Sequence, residues 1–251
     1  MPRQRLFRTP AVVLKRTDLG EADRIVTLFS RDEGKVRAVA KGVRRTTSRS
    51  AGHLEPFTLT DVLFAQGREL DVVSQALTIE PFREVREDLD RATYAYYLAE
   101  VVDLLAEERL DNRAVFDALT GGLRALSAAA DPRLVLVTFY LRLLDGLGYR
   151  PELRVCLSCQ ATIEPGSNQF SPLVGGVLCP SCGPREASAR PISVPALKLL
   201  RYIQQAAAFP AGLGVAPGVA REAEGVLRNY AEHLIERRLR SPALIARVAD
   251  L

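Results

Sequence analysis

All four cysteines of the chain fall in one short segment, as Cys156-Leu157-Ser158-Cys159 and Cys179-Pro180-Ser181-Cys182, with 19 residues between the pairs. A C-x-x-C turn points two thiolates at one point, and two such turns joined by a hairpin offer four sulfurs in a tetrahedron. That is the ligand set of a structural zinc site, closed to substrate because all four positions are protein. Cys156, Cys159, Cys179 and Cys182 are thus the candidate metal ligands, for one zinc ion that folds a Pro/Gly/Ser-rich stretch with little core of its own. Gly183 is expected to supply a positive φ at the second turn, and Gln160 stands where the first would suit a glycine. Two disulfides suit a small secreted chain better than this one, and two facing C-x-x-C pairs favour metal over a redox motif. His53-Leu54-Glu55 with the second pair loosely matches a zinc-deaminase signature, but Leu178 rather than Pro precedes Cys179, and Cys156 and Cys159 would go unused.

A second chemistry is electrostatic. The chain has 34 Lys or Arg and 30 Asp or Glu, a net charge of +4. The first 50 residues hold 13 of the cations and five acids, so they carry +8 and the remainder −4. Such asymmetry points to a polyanion, nucleic acid first. In the apolar run Lys35–Ala40, period-two alternation puts Lys35, Arg37, Val39 and Lys41 on one face and Val36, Ala38 and Ala40 on the other. The next loop adds Arg44, Arg45 and Arg49. With Arg24 on the preceding strand, these are the candidate nucleic-acid-binding residues, reading phosphates rather than bases. Phe7, beside Arg5 and Arg8, is the candidate base-stacking residue, whereas Phe29, Phe57 and Phe64 are expected in the core. Glu21 and Asp23 are expected to pair locally with Arg24.

Enzymatic readings find little support. The two histidines, His53 and His233, sit in no nucleophile motif, and no P-loop is present. No apolar run approaches membrane-spanning length, and Met1–Leu6 leads into no signal-type apolar stretch. A cytoplasmic, nucleoid-associated location with no membrane partner is the expectation.

These residues need elements to position them. Five β-type runs lie in residues 1–80: around 11–15, 24–30, 35–40, 57–64 and 70–79, with Arg31-Asp32-Glu33-Gly34 as a hairpin turn. Five short strands suit a small closed barrel, an OB-fold first, with an SH3-like barrel as the alternative. From about residue 82 the period becomes helical. Leu89, Ala92, Tyr96, Ala99 and Val102 mark a first stripe, widened by Tyr94, Tyr97, Leu98, Val101, Leu104 and Leu105, and further helices are expected over 112–129, 132–144, 194–208, 219–238 and 242–250. The expectation is an α+β multidomain chain: an OB-fold DNA-binding domain at 1–80, then an all-helical domain at 81–251, interrupted by the C4 zinc module at 150–190.

Several stretches together resemble the RecO family of bacterial recombinational repair proteins. They are Val12-Val13-Leu14-Lys15, Gly20–Phe29, Gly34-Lys35, Ala40–Arg45, Leu54-Glu55-Pro56-Phe57, Leu143–Pro151, and Phe170–Gly176 with the four cysteines. The resemblance implies an OB-fold, a helical domain and a zinc module. It implies binding of single- and double-stranded DNA and annealing of complementary strands. It further implies partnership with RecR and single-strand-binding protein, loading of the recombinase RecA, and no catalytic residues. The residues alone also admit a zinc-ribbon interaction scaffold or transcription adaptor that binds DNA incidentally.

Overall fold

The computed structural model describes residues 6–129, 131–210 and 212–249. The chain divides into two compact units: one runs to Ser127 and takes in the chain from Ala243 onward, and the other is Ala128–Pro242.

The first unit opens with β1 (Leu6–Leu19), β2 (Asp23–Ser30), β3 (Gly34–Ala40), β4 (Leu59–Ala65) and β5 (Asp71–Glu80). They close into a barrel in the order β1-β2-β3-β5-β4. All neighbouring strands are antiparallel except β3 and β5, which pair in parallel at Ala38–Asp71 and Val39–Val72 alone. This is the five-stranded Greek-key barrel expected of an OB-fold. Alternation sets its interior. Ala11 and Val13 of β1, Val26 and Leu28 of β2, Val36, Ala38 and Ala40 of β3, and Val62 and Phe64 point inward and are buried. Leu54, from the 3₁₀ turn Ala51–Leu54, joins that interior. Gly34 ends the β2–β3 hairpin at φ 63°, as the turn sequence requires. A Cβ there would also run into the carbonyl of Leu110, so only glycine fits.

The outward-facing residues of β1–β3 are not all exposed. Val12 and Phe29 lie opposite one another, and both are fully buried. After the short α1 (Arg83–Glu87), α2 (Leu89–Leu105) packs on β1. Phe57 meets Tyr96 of α2 edge-on, at 4.7 Å between centroids. Of the three phenylalanines expected in the barrel core, only Phe64 belongs to the interior cluster; Phe29 and Phe57 are buried outside it. The stripe expected for α2 is met on its widened face, though not at Leu89 and Tyr96. Leu89 and Tyr96 are exposed, while Thr93, Tyr94, Tyr97, Leu98 and Val101 are buried with Ala99 and Val102. A helix buried on most of its circumference has no single apolar stripe to read. Asn112 caps α3 (Arg113–Ala128) by accepting the Val115 N–H at 3.1 Å.

The second unit is built on α4 (Pro132–Gly146), α5 (Val194–Gln205) and α6 (Pro217–Ile235). Asp131 caps α4 with Pro132 in its first turn, and Ser193 caps α5 by accepting the Ala196 N–H. Between α4 and α5 lies a small antiparallel sheet of β6 (Gln169–Ser171), β7 (Gly176–Leu178) and β8 (Arg190–Pro191), ordered β7-β6-β8. Helix α7 (Ser241–Ala249) follows α6. Among the described residues, no helix is long and apolar enough to cross a membrane.

Candidate functional site

The cysteine segment is held by hydrogen bonds at both turns. The N–H of Gln160 donates to Cys156 O, and those of Cys182 and Gly183 donate to Cys179 O. The left-handed position is Gln160, at φ 63°, not Gly183. Gly183 instead opens a 3₁₀ turn to Arg185, and its missing Cβ leaves room for the Gln169 side chain. The expectation about the two knuckles is corrected in both halves: the first accepts the strain without glycine, and the second needs glycine for space.

The four sulfurs lie within 4.8 Å of one another, and they are free thiols rather than two disulfides. Cys159 Sγ and Cys179 Sγ are 3.8 Å apart. A tetrahedral site with metal–sulfur bonds near 2.3 Å has edges of about 3.8 Å, so the set fits a metal ion. Burial opposes ionisation of Cys156, but the N–H groups of Cys159, Cys179 and Ser158 directed at its sulfur outweigh that and lower its pKa to about 6. Cys156 is thus poised as a thiolate ligand. The module is tied to its helices by Arg201, which donates to the carbonyls of Leu153 and Ile163 at 2.7 and 3.0 Å, and by Gln204, which donates to Pro151 O. His53 and Glu55 are engaged elsewhere. The His53 ring is 2.8 Å from Thr78 Oγ1, and Glu55 pairs with Arg16.

The seven candidate cations, Arg24, Lys35, Arg37, Lys41, Arg44, Arg45 and Arg49, fall into three groups. Arg37, Lys41, Arg45 and Arg49 are exposed and have no acidic partner among the described residues. Arg24 and Arg44 are both drawn to Asp18: Arg24 Nε donates at 2.8 Å, and Arg44 lies at 3.5 Å while also donating to Gly20 O. Arg24's hydrogen bond is the main influence that holds the Asp18 carboxyl below its ordinary value, with the charges of Arg44, Arg24 and Arg16 adding to it. Glu21 and Asp23 are not Arg24's partners. Asp23 accepts the Gly42 N–H at 2.7 Å, and Arg44 N–H donates to Ala22 O. Those two bonds tie the β1–β2 turn to the loop after β3.

Lys35 forms the third group. It shares the alternation of Arg37 but lies under the end of α2, where its Nζ donates to Asp103 O at 2.7 Å. Burial lowers its pKa, against the pull of Asp103 and Glu108. An ammonium on one of the last carbonyls of a helix satisfies an orphan acceptor and the helix dipole together. Phe7 likewise turns inward: it stacks on Phe64 at 5.0 Å, beneath the Arg109 guanidinium, which corrects its reading as a base-stacking residue. The signal for both lay in residues 100–110, far along the chain.

A family model described as "Recombination protein O N terminal" matches residues 3–82, and one described as "Recombination protein O C terminal" matches residues 86–243. The chain belongs to the RecO family. It is 44% identical over 250 residues to "DNA repair protein RecO" of Roseiflexus sp. (strain RS-1), covering 99% of this chain and 88% of that one. It is 42% identical to the protein of that name from Nocardioides sp. (strain ATCC BAA-499 / JS614), covering 96% and 100%. With that of Pelotomaculum thermopropionicum it shares 36% identity over 97% and 94%. The barrel and the helices with their four-cysteine module therefore form a RecO-family DNA repair protein.

Proposed function

We propose that the chain is a non-enzymatic recombination mediator that binds single- and double-stranded DNA, anneals complementary strands and, with RecR and single-strand-binding protein, helps load RecA on nucleoid DNA in the cytoplasm. The barrel of residues 1–80 is the DNA-binding part, and residues 81–251 form the helical part, carrying the module at 150–190. The observation that carries the reading is the group of exposed cations Arg37, Lys41, Arg45 and Arg49, which have no acidic partner among the described residues, with Arg44 and Arg24 beside them. They sit on one outer strand face and the loop tied to it. Contacts of this kind leave base edges free, so two bound strands remain able to pair.

In the same reading one zinc ion is held by Cys156, Cys159, Cys179 and Cys182, and its work is structural. When bound it supplies a fixed point for the two turns, while Arg201 and Gln204 carry that rigidity to α5.

Replacing Arg37, Lys41, Arg45 and Arg49 together by Glu is expected to abolish strand annealing in a fluorescence-quenching assay while the melting temperature is kept. With about four phosphates neutralised, log affinity for single strands against log salt should slope near −3. Salt-independent binding, or annealing that survives the fourfold change, overturns the reading.

A further inference from the structure

In the second unit a cavity of about 450 Å³ opens between the small sheet and α6. That is large enough for a nucleotide-sized group. Three arginines line it, Arg190, Arg228 and Arg238, with Asn229, Val226 and Phe170. The cavity shares no residue with the barrel or the cysteine centre.

Each arginine is placed by the local fold. Arg190, on β8, donates through one terminal nitrogen to the carbonyls of Ala187 and Ala189, at 2.9 and 2.8 Å. Its remaining N–H groups are left for another acceptor. Arg228 is steadied by Glu224 one turn earlier on α6, at 3.5 Å. Arg238 is brought in by the chain reversal that ends α6. Glu236 takes a left-handed conformation at φ 58°, and the Leu239 N–H returns to Glu232 Oε1 at 3.0 Å. The Arg238 side chain is exposed and has no ion-pair partner among the described residues.

Two glutamates also line the wall, but both serve the backbone. Glu222 accepts the Ser193 N–H and hydroxyl, each at 2.6 Å, at the N-terminus of α5, and Glu232 holds Leu239. Three guanidinium forks around a recess with apolar and amide walls match an oxyanion whose charge is spread over several oxygens. A phosphodiester with its sugar has that form.

We propose that this cavity is a second nucleic-acid phosphate site, which holds the complementary strand while the barrel holds the first. The inference rests on the annealing reading above and gives it a second locus. One basic face accounts for capture of a strand. Pairing two polyanions on one protein is faster when each has its own cations.

The test uses the full chain with Arg190→Glu and Arg238→Glu combined, and a matching Lys pair that keeps the charge. First-strand affinity is read by fluorescence anisotropy with an oligonucleotide. Second-strand capture is read by adding a labelled, non-complementary oligonucleotide to the preformed complex, and annealing is timed separately. The Glu pair is expected to leave first-strand affinity within about twofold and to slow capture and annealing by about tenfold or more, while the Lys pair retains most of both. A mononucleotide at matched phosphate concentration is expected not to compete, which separates a strand from a free nucleotide as the ligand; competition by it assigns the site to small nucleotides. Unchanged capture and annealing in the Glu pair overturn the proposal. So does an equal loss of first-strand affinity, which would make the cavity part of one site. If an acidic peptide loses binding to the Glu pair while annealing is unchanged, the cavity belongs to a protein partner instead. Failure here is distinct from failure of the barrel reading, because the fourfold barrel variant loses the first strand and this one does not.

Discussion

The cysteine centre and the cation face both bring like charges together, and they differ in the chain distance over which that is arranged. Each C-x-x-C turn places two sulfurs through hydrogen bonds within four residues, and one short hairpin joins the turns. The cation face relies on strand alternation to decide which side a residue takes, and on a helix many residues away to decide whether that side is open. Lys35 and Arg37 show the point. They share a face, yet Arg37 is exposed and Lys35 caps α2 through Asp103 O. Local spacing specifies the four-cysteine cluster nearly completely, but it specifies an open cation face only up to what later packs on it.

The sharpest way to break this comparison is at the metal. Cys156 is the fully buried member of the four. Cys156→Ala is expected to abolish stoichiometric zinc and to unfold the 150–190 segment, since structural zinc contributes on the order of 10 kcal/mol in small metal-dependent modules. Elemental analysis and calorimetry check this, and a metal-free variant with an unchanged melt would contradict it.

A smaller effect separates the two cations. Lys35→Ala should cost about 1 kcal/mol of stability, from the lost helix-end bond, with the salt slope of DNA binding unchanged. Arg37→Ala should leave stability within about 0.5 kcal/mol and flatten the slope by about 0.7. Equal slopes for the two variants would erase the distinction drawn between them.

The smallest effect concerns Asp18, which draws Arg24 and Arg44 away from any phosphate. Asp18→Asn is expected to tighten single-strand binding about two- to threefold and to steepen the salt slope. The sign with pH follows from the lowered carboxyl pKa. The pairing is complete above the ordinary value of 3.8 and is lost only as pH falls through the lower folded value. The gain from Asp18→Asn should therefore be the same at pH 5 and pH 8.

Much of this was legible from residue order. The barrel strands follow from alternation, the hairpin from Gly34, the helix starts from Asp131-Pro132 and Ser193, and the four-cysteine cluster from spacing. What was not legible depended on tertiary partners. Tyr96 and Leu89 are on the exposed side of a helix buried nearly all round. Phe7 lies between Phe64 and Arg109. Arg238 reaches its cavity only because Glu232, on the last turns of α6, holds the following segment back. In each case the deciding neighbour is invisible to a local window.

The seam of the barrel has a consequence for how the protein is made. β3 pairs with β5 only at Ala38 and Val39, and farther along its edge Lys35 bridges to Glu108 while its carbonyl accepts the Arg109 N–H. A nascent chain that has left the ribosome only as far as Glu80 carries an unpaired stretch of β3, with the apolar surface of Val12 and Phe29 still uncovered. Until residue 110 emerges, that edge is open to pairing with other chains. Fragments that stop at the end of the fifth strand should accordingly aggregate during expression, whereas fragments that run through Asp111 should not.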